Sequence, residues 1–365
     1  MVDETKRAKV GLAPPERAGG EGECGAFPQY TTRNALENLC KGKDLSRAES
    51  KALFSKIVRG EMGQAEIAAV LVALKAKGEA PDEIAGAAEA LLEGATAIDT
   101  GGMDVADTCG TGGDGAGTLN VSTAAAIVIA EAGIPVAKHG NRSVSSSCGS
   151  ADVLEKCGVK IDMSPSDAVR SLKSAGICFL FAPLFHPGMK HAMPVRKALG
   201  VRTIFNVLGP LVNPARPRWQ VVGVYDRRLC VPVARTLDLL GCGSALVVHG
   251  DGLDEVALHG DTSVAILKNG VVTGETITPE MIGFPRLHAG ALKGGSADEN
   301  AARMKLMLSG RGENEFALAV AINAGALLWI AGTAADLKNG AEIAMEIIKS
   351  GRAGGRLEKW IGGSP

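Results

Sequence analysis

Little in this sequence suits a nucleic-acid or membrane surface. Aromatic residues make up only 4% of the 365 positions, too few for a platform on which successive bases stack. Charge of one sign is not in excess either: 39 Lys and Arg face 40 Asp and Glu. That balance excludes a global field drawing the chain to nucleic acid or an anionic bilayer, though a local basic pocket remains compatible with it. No apolar run is long and clean enough to span a bilayer. The most apolar stretch, Ala317–Ala331, is interrupted by Asn323 and reads as a buried core helix. Metal-finger spacing is missing as well. The eight cysteines (Cys24, Cys40, Cys109, Cys148, Cys157, Cys178, Cys230 and Cys242) form no CxxC, and no paired His motif completes a zinc set. A reduced, cytoplasmic compartment is expected. Cys109 and Cys148 read as small buried fillers, because neither lies in a motif that would mark a catalytic thiol. The first 30 residues carry Gly, Pro and the acids Asp3, Glu4, Glu16, Glu21 and Glu23 without an apolar h-region. A secretory or transit peptide is thereby disfavoured, and a flexible extension over 1–30 is expected.

What is present is 46% hydrophobic residues, enough for a large core in one or two domains. From Thr31 to Glu93 the pattern is helical. Ser46 and Glu49 form a capping box, Gly60 and Gly78 are stops, and Pro81-Asp82 starts a helix through Leu92. A small helical domain over 31–100 is expected, its small residues suited to close packing or a dimer face. From Val105 short apolar segments alternate with helices. Strands are predicted at Val105–Thr108, Pro135–Lys138, Val159–Ile161, Cys178–Ala182, Val221–Tyr225 and Ala245–Val248. Helices are predicted at Thr118–Ala132, Pro165–Ala175 and Leu229–Leu240. The alternation predicts an α/β domain over 101–365 with a mostly parallel central sheet flanked by helices. Asn269-Gly270, between Ser263–Leu267 and Val271–Thr276, predicts a hairpin at one edge. Three helices should follow, near Asp298–Leu308, Glu313–Ile330 and Ala341–Ser350. The helical insertion at about 187–200 is expected to pack back on the first domain and line an interdomain cleft, a favoured ligand site.

Chemistry concentrates between Asp107 and Glu155. Gly110-Thr-Gly-Gly-Asp-Gly-Ala-Gly117 follows a strand and precedes a helix, where backbone N–H groups cradle anions and glycine lets phosphate approach closely. Gly110, Gly112 and Gly115 also fit a dinucleotide fingerprint, but the next strand ends in Lys138-His139 rather than in an acid for ribose hydroxyls. Phosphate or pyrophosphate binding is preferred, and no GxxxxGK[ST] is present. Asn120-Val-Ser-Thr123 reads either as helix caps or as oxygens for a sugar phosphate or a hard cation. Lys138 to Asp152, with Ser145, Ser146 and Ser147, looks like a second anion pocket. Asp251-Gly-Leu-Asp-Glu255 reads equally as a solvated acidic turn or as an Mg²⁺ site. Arg196 alone reads as a surface ion pair, or as a bidentate clamp for a carboxylate.

Taken together, Asp107–Asp114, Asn120–Thr123, Lys138–Ser146 and Gly149–Glu155, extended by Arg202–Leu211 and Asp254-Glu255, closely resemble the anthranilate phosphoribosyltransferase family. The likeness runs from about Thr31 to the C-terminus. It implies transfer of the phosphoribosyl group from phosphoribosyl pyrophosphate to anthranilate in tryptophan synthesis. It also implies a homodimer through the helical part and a nucleoside-phosphorylase-like fold of two domains joined by hinges. By the same resemblance Gly110, Gly113, Asp114, Thr118, Asn120, Val121, Ser122, Thr123, Lys138, His139, Gly140, Asn141, Arg142, Ser143, Val144, Ser145, Ser146 and Ser150 would contact the donor. Gly110, Asn141 and Arg196 would contact anthranilate, and Ser122, Asp254 and Glu255 would serve Mg²⁺. Ser147 departs from the family, which often carries a basic residue there. No single catalytic base is expected, and neither a nucleic-acid nor a membrane partner. A pyrimidine nucleoside phosphorylase and a non-catalytic DNA-binding relative of the same fold are the alternatives. Lys138–Asn141 and Asp254-Glu255 count against the first, and the near-neutral charge against the second.

Overall fold

The computed structural model describes residues 31–143 and 148–363. The extension 1–30, Cys24, and Val144, Ser145, Ser146 and Ser147 lie outside the described residues. Helices α1 (Thr32–Cys40), α2 (Arg47–Arg59), α3 (Gln64–Lys77) and α4 (Pro81–Glu93) form the first unit. The Ser46/Glu49 capping box is made reciprocally, and Gly60 closes α2 in the left-handed conformation at φ 74°. Glu83 is fully buried, yet it accepts from the Leu45 and Ala80 amides at 2.9 and 2.8 Å and from Lys77 Nζ at 2.9 Å. A buried carboxylate so satisfied fixes the α1–α2 turn against α4. Gly86 lets α2 and α4 touch, since a side chain there would run into the Arg47 carbonyl.

The second unit is one seven-stranded sheet in the order β3-β2-β1-β4-β5-β6-β7. The strands are β1 (Ala106–Gly110), β2 (Val136–Gly140), β3 (Ile177–Phe181), β4 (Trp219–Gly223), β5 (Ser244–Gly250), β6 (Thr262–Lys268) and β7 (Val271–Ile277). Strands β1 to β5 are parallel to one another, and β6 and β7 add antiparallel pairing at the β5 edge. The predicted hairpin is present: Asn269 and Gly270 both take positive φ, 53° and 74°, as a two-residue turn matched to strand twist requires. The chain runs outward from β1 through β2 to β3. It then crosses back to β4 on the other side of β1. The β1/β4 boundary is therefore a topological switch point, where open α/β sheets hold ligands beyond their carboxyl ends.

Alternate residues of the central strands enter two cores. Val221, Leu246 and Val248 join the core under Val121–Glu131 (α5) and Asn314–Ile330. Val222, Ala245 and Val247 join the core shared with helix Cys230–Leu239 and the first unit. The return crossing from β3 to β4 carries Pro187–His191, a 3₁₀ turn, and helix Met193–Leu199, whose Ala192 and Val195 lie in the helical unit's core.

Three expectations need correction. Val159–Ile161 is not a strand. It links helix Ser150–Cys157 (α6) to helix Pro165–Ala175 and pairs with no strand of the sheet, although Val159 and Ile161 are buried. The helix predicted from Thr118 starts at Val121, because Thr118 bridges to Lys293 and the Leu119 amide donates to the Leu292 carbonyl at 2.8 Å. The C-terminus holds a fourth helix, Arg352–Gly363, anchored by buried Leu357 and Trp360.

Candidate active site at the sheet switch point

Strands β1 and β4 end on paired glycines, Gly110 opposite Gly223. The loop after β5 returns over this pair and lays Asp254 on it. A side chain at Gly223 would overlap the Asp254 backbone, and one at Gly110 would overlap its carboxylate. Gly250, at the end of β5, is likewise crowded by the Glu255 carbonyl. Three glycines at three strand ends therefore make the bed for the acid pair, and Gly223 and Gly250 were missed in the sequence. The Gly112 amide donates to Asp254 Oδ2 at 2.6 Å, so the glycine-rich loop is tied to the acids by its backbone. Gly112, Gly113, Gly115 and Gly117 all have φ between 61° and 78°, a conformation that side chains resist. Thr111 joins the loop to β4: its amide donates to the Gly223 carbonyl at 2.9 Å, and its hydroxyl accepts from the Tyr225 amide at 3.2 Å. Arg202 donates to the Gly113 carbonyl and lies over the Tyr225 ring at 4.4 Å. It clamps this loop, although in the sequence it was merely part of a matching stretch.

The acids are half-buried, more enclosed than a solvated turn would leave them. Burial, and next the charge of Asp114, push Asp254 up to about 7. Burial, Asp254 and Asp114 push Glu255 well above the carboxylate range, even though the Ser122 amide in the first turn of α5 donates to it. Asp107, fully buried, is pushed up to about 6 by burial, with Lys138 and the amide of Asn213 opposing. Lys138 is itself buried, and its Nζ donates to the Thr108 carbonyl at 2.7 Å. Four carboxylates thus gather near one internal ammonium, a group short of positive charge. Among the described residues no cluster of three or more His, Cys, Asp or Glu is arranged to hold a metal by itself.

The neighbouring donor-motif residues are held by a polar chain. Asn120 precedes α5 but does not cap it. Its amide donates to the Cys148 carbonyl at 3.2 Å and accepts from Asn300 at 3.1 Å, and Asn300 in turn accepts from the Gly295 amide at 2.8 Å. Asn300, another residue missed in the sequence, sets the rotamer of Asn120. Ser122 and Thr123 fall in the first turn of α5. Arg142 is engaged by Asp152 and Glu155, each at 2.9 Å, so its guanidinium is already paired within its own loop. Asp152 also accepts from the Ser143 and Gly149 amides at 3.0 and 2.9 Å. Ser150 donates to the Asn141 carbonyl at 3.3 Å. His139 faces inward. Its Nδ1 lies 3.2 Å from the Gly209 carbonyl, its ring sits 5.1 Å from that of His186, and burial lowers it to about 3. It is a neutral spacer between β2 and the insertion.

Arg196 stands apart from this cluster. It lies over the Phe205 ring at 5.3 Å and contacts Met193 sulfur at 3.7 Å, and burial lowers its pKa. The surface ion pair that its sequence suggested is not formed: among the described residues it has no carboxylate partner.

A glycine cradle and half-buried acids at a sheet switch point, in a chain with a separate helical unit, fit the class of α/β enzymes that handle phosphorylated substrates. Comparison narrows the class. Residues 102–354 match the a/b domain of the glycosyl transferase family, and residues 33–95 match its helical bundle domain. The chain is 53% identical over 326 residues to the anthranilate phosphoribosyltransferase of Sorangium cellulosum, covering 89% of this chain and 94% of that one. It is 50% identical over 318 residues to that of Aeromonas salmonicida, covering 87% and 94%. The crystal structure of the Thermus thermophilus enzyme superposes with TM-score 0.86 at 42% identity, covering 90% of this chain and 98% of that one. The Saccharomyces cerevisiae enzyme in complex with PRPP and Mg superposes with TM-score 0.81 at 27% identity, covering 92% and 98%. The chain belongs to the anthranilate phosphoribosyltransferase family. No helix among the described residues is long and apolar enough to cross a membrane.

Proposed function

We propose that this site transfers the 5-phosphoribosyl group of phosphoribosyl pyrophosphate to the amine of anthranilate, releasing pyrophosphate, as a step of tryptophan biosynthesis. The observation that carries this reading is the acid pair Asp254-Glu255, bedded on Gly110, Gly223 and Gly250 beside the glycine-rich loop. Its unbalanced charge fits Mg²⁺, which binds through one or two carboxylates and completes its shell with substrate phosphates and water. Asp254, Glu255 and Ser122 are the residues that would hold it. When bound, the ion supplies neutralisation of the charge that grows on the pyrophosphate leaving group.

The protein's own part is positioning. The amides of the loop after Gly110, apart from those of Thr111, Gly112 and Ala116 that already serve protein acceptors, offer donors to phosphate. Gly110, Gly113, Asp114, Thr118, Asn120 to Thr123, Gly140 to Ser146 and Ser150 surround the donor in this reading, whereas the side chains of Lys138 and His139 are turned into the protein. Lys138, buried at the floor, acts through its charge on Asp107 and Glu255. Arg142 contributes by ordering the loop through Asp152 and Glu155. Gly110, Asn141 and Arg196 receive anthranilate, with the unpaired Arg196 guanidinium meeting its carboxylate. The anthranilate amine is neutral near pH 7 and needs no strong base. The buried, neutral His139 supplies none. Orientation of the amine against the ribose carbon dominates, and hinge closure carries Arg196 toward the donor. A homodimer through the helical unit and a reduced cytoplasmic setting complete the reading. The setting is supported by seven cysteines outside any disulfide among the described residues.

The test is product identity. With anthranilate, phosphoribosyl pyrophosphate and Mg²⁺, mass spectrometry should detect N-(5′-phosphoribosyl)anthranilate in amounts equal to the pyrophosphate released. Phosphorolysis of thymidine or uridine without anthranilate turnover would overturn the reading.

A further inference from the structure

Helix Asn314–Ile330 is buried along nearly its whole length, and Asn323 is the polar side chain within that buried face. Burying an amide is unfavourable unless every polar atom finds a partner. Here each does. Asn323 Oδ1 accepts from the Val256 amide at 3.0 Å. Its Nδ2 donates to the Val256 carbonyl at 3.1 Å and to the Ala319 carbonyl of its own helix at 2.9 Å. One side chain thus engages both backbone groups of Val256, as a neighbouring strand would, at a point where the chain has left β5. Val256 directly follows Glu255. From the other side, Gly223 and Gly250 leave no slack, since the Asp254 and Glu255 backbones already press on them.

We infer that Asn323 is a positioning residue for the metal-holding carboxylates: it pins Val256 and thereby sets where Asp254 and Glu255 point. This rests on the reading of that acid pair given above. An apolar residue of similar volume would suit the surrounding helix core at least as well. The specific gain from the amide lies in the loop.

The experiment is Asn323→Leu in the full chain, beside Glu255→Gln. Mn²⁺ binding is followed by electron paramagnetic resonance with phosphoribosyl pyrophosphate present, together with the steady-state dependence on Mg²⁺ and on anthranilate. Loss of an outer support around a metal typically weakens affinity about 10- to 100-fold. Asn323→Leu should weaken Mn²⁺ binding and raise the half-saturating Mg²⁺ by that range, leaving the anthranilate KM within about twofold. Should Asn323→Leu be recovered too poorly to assay, Asn323→Ser, too short to reach both Val256 groups, carries the same expectation. Unchanged Mn²⁺ binding in the folded Asn323 variant, with binding lost in Glu255→Gln, overturns the inference alone. Equal rises in the metal requirement and the anthranilate KM also overturn it, because they indicate general loosening. Unchanged binding in both variants overturns the reading of the acid pair itself.

Discussion

The two halves of the active site are built on different principles. The donor side, at the ends of β1, β4 and β5, is over-determined: glycines without room for a methyl group, a 2.6 Å amide bond to Asp254, and the Asn120–Asn300 pair. The acceptor side, as proposed, rests on Arg196, from a seven-residue helix in a crossing segment, with an aromatic ring and a thioether for company. A highly charged donor and metal need fixed partners, because misplacing a buried charge costs several kcal/mol. A small aromatic acceptor needs one well-placed cation and a surface that can close. The donor side should therefore respond to substitution by losing turnover or fold, and the acceptor side by losing affinity for anthranilate.

The sharpest break should come from Gly223→Ala. The added methyl cannot coexist with the Asp254 backbone, so the loop must move. Activity should fall by about 10³-fold or more, with lower thermal stability from overpacking of about 1–3 kcal/mol. Glu255→Gln comes next. Removing a group that acts on developing charge costs about 10²-fold in kcat, and calorimetry should show the metal-free variant losing less stability than the parent chain as pH rises, because its amide cannot ionise. Arg196→Ala should raise the anthranilate KM about tenfold or more with the donor KM changed by less than about threefold. The reverse pattern would place Arg196 on the donor side and erase the contrast.

The smallest effect is on pH. Asp254 at about 7 and Asp107 at about 6 lie above their unfolded values of about 4. Carboxylates raised on folding stabilise the native state while protonated. Their contribution is complete below about pH 4 and is lost as pH rises through about 6 to 7. His139, lowered to about 3, works oppositely: its contribution is present above about pH 6.5 and lost as pH falls toward 3. Melting of the metal-free protein should thus decline between about pH 5 and 8, and Mg²⁺ with donor should restore it at the upper end. A flat profile would mean the acids are better solvated than their burial indicates.

The sequence displayed the chemistry better than its supports. Gly110–Gly117 was legible because a glycine run between a strand and a helix has few other uses, whereas Asp254-Glu255 read equally as a solvated turn until the resemblance of the whole motif set decided it. Gly223 and Gly250 were not, because a lone glycine closing an apolar strand carries no mark of what crosses it. Asn323 stood out as a break in an apolar helix, but its partner lies 67 positions away. Asn120 looked like a cap until Asn300 and Cys148 showed where its amide goes. Val159–Ile161 misled because two β-branched residues flanking Lys160 look the same in a strand and in a buried connection. Helix Arg352–Gly363 was hidden by its glycines and revealed by buried Trp360. For Gly223, Gly250, Asn120 and Asn323 the deciding contact is long-range, which local pattern does not record.

The most direct test of the whole account is anthranilate fluorescence in the presence of the protein, followed as phosphoribosyl pyrophosphate and Mg²⁺ are added. The account predicts loss of the signal that requires both additions, stops when the metal is chelated, and is strongly slowed in Glu255→Gln. A signal that persists at every Mg²⁺ concentration would contradict it.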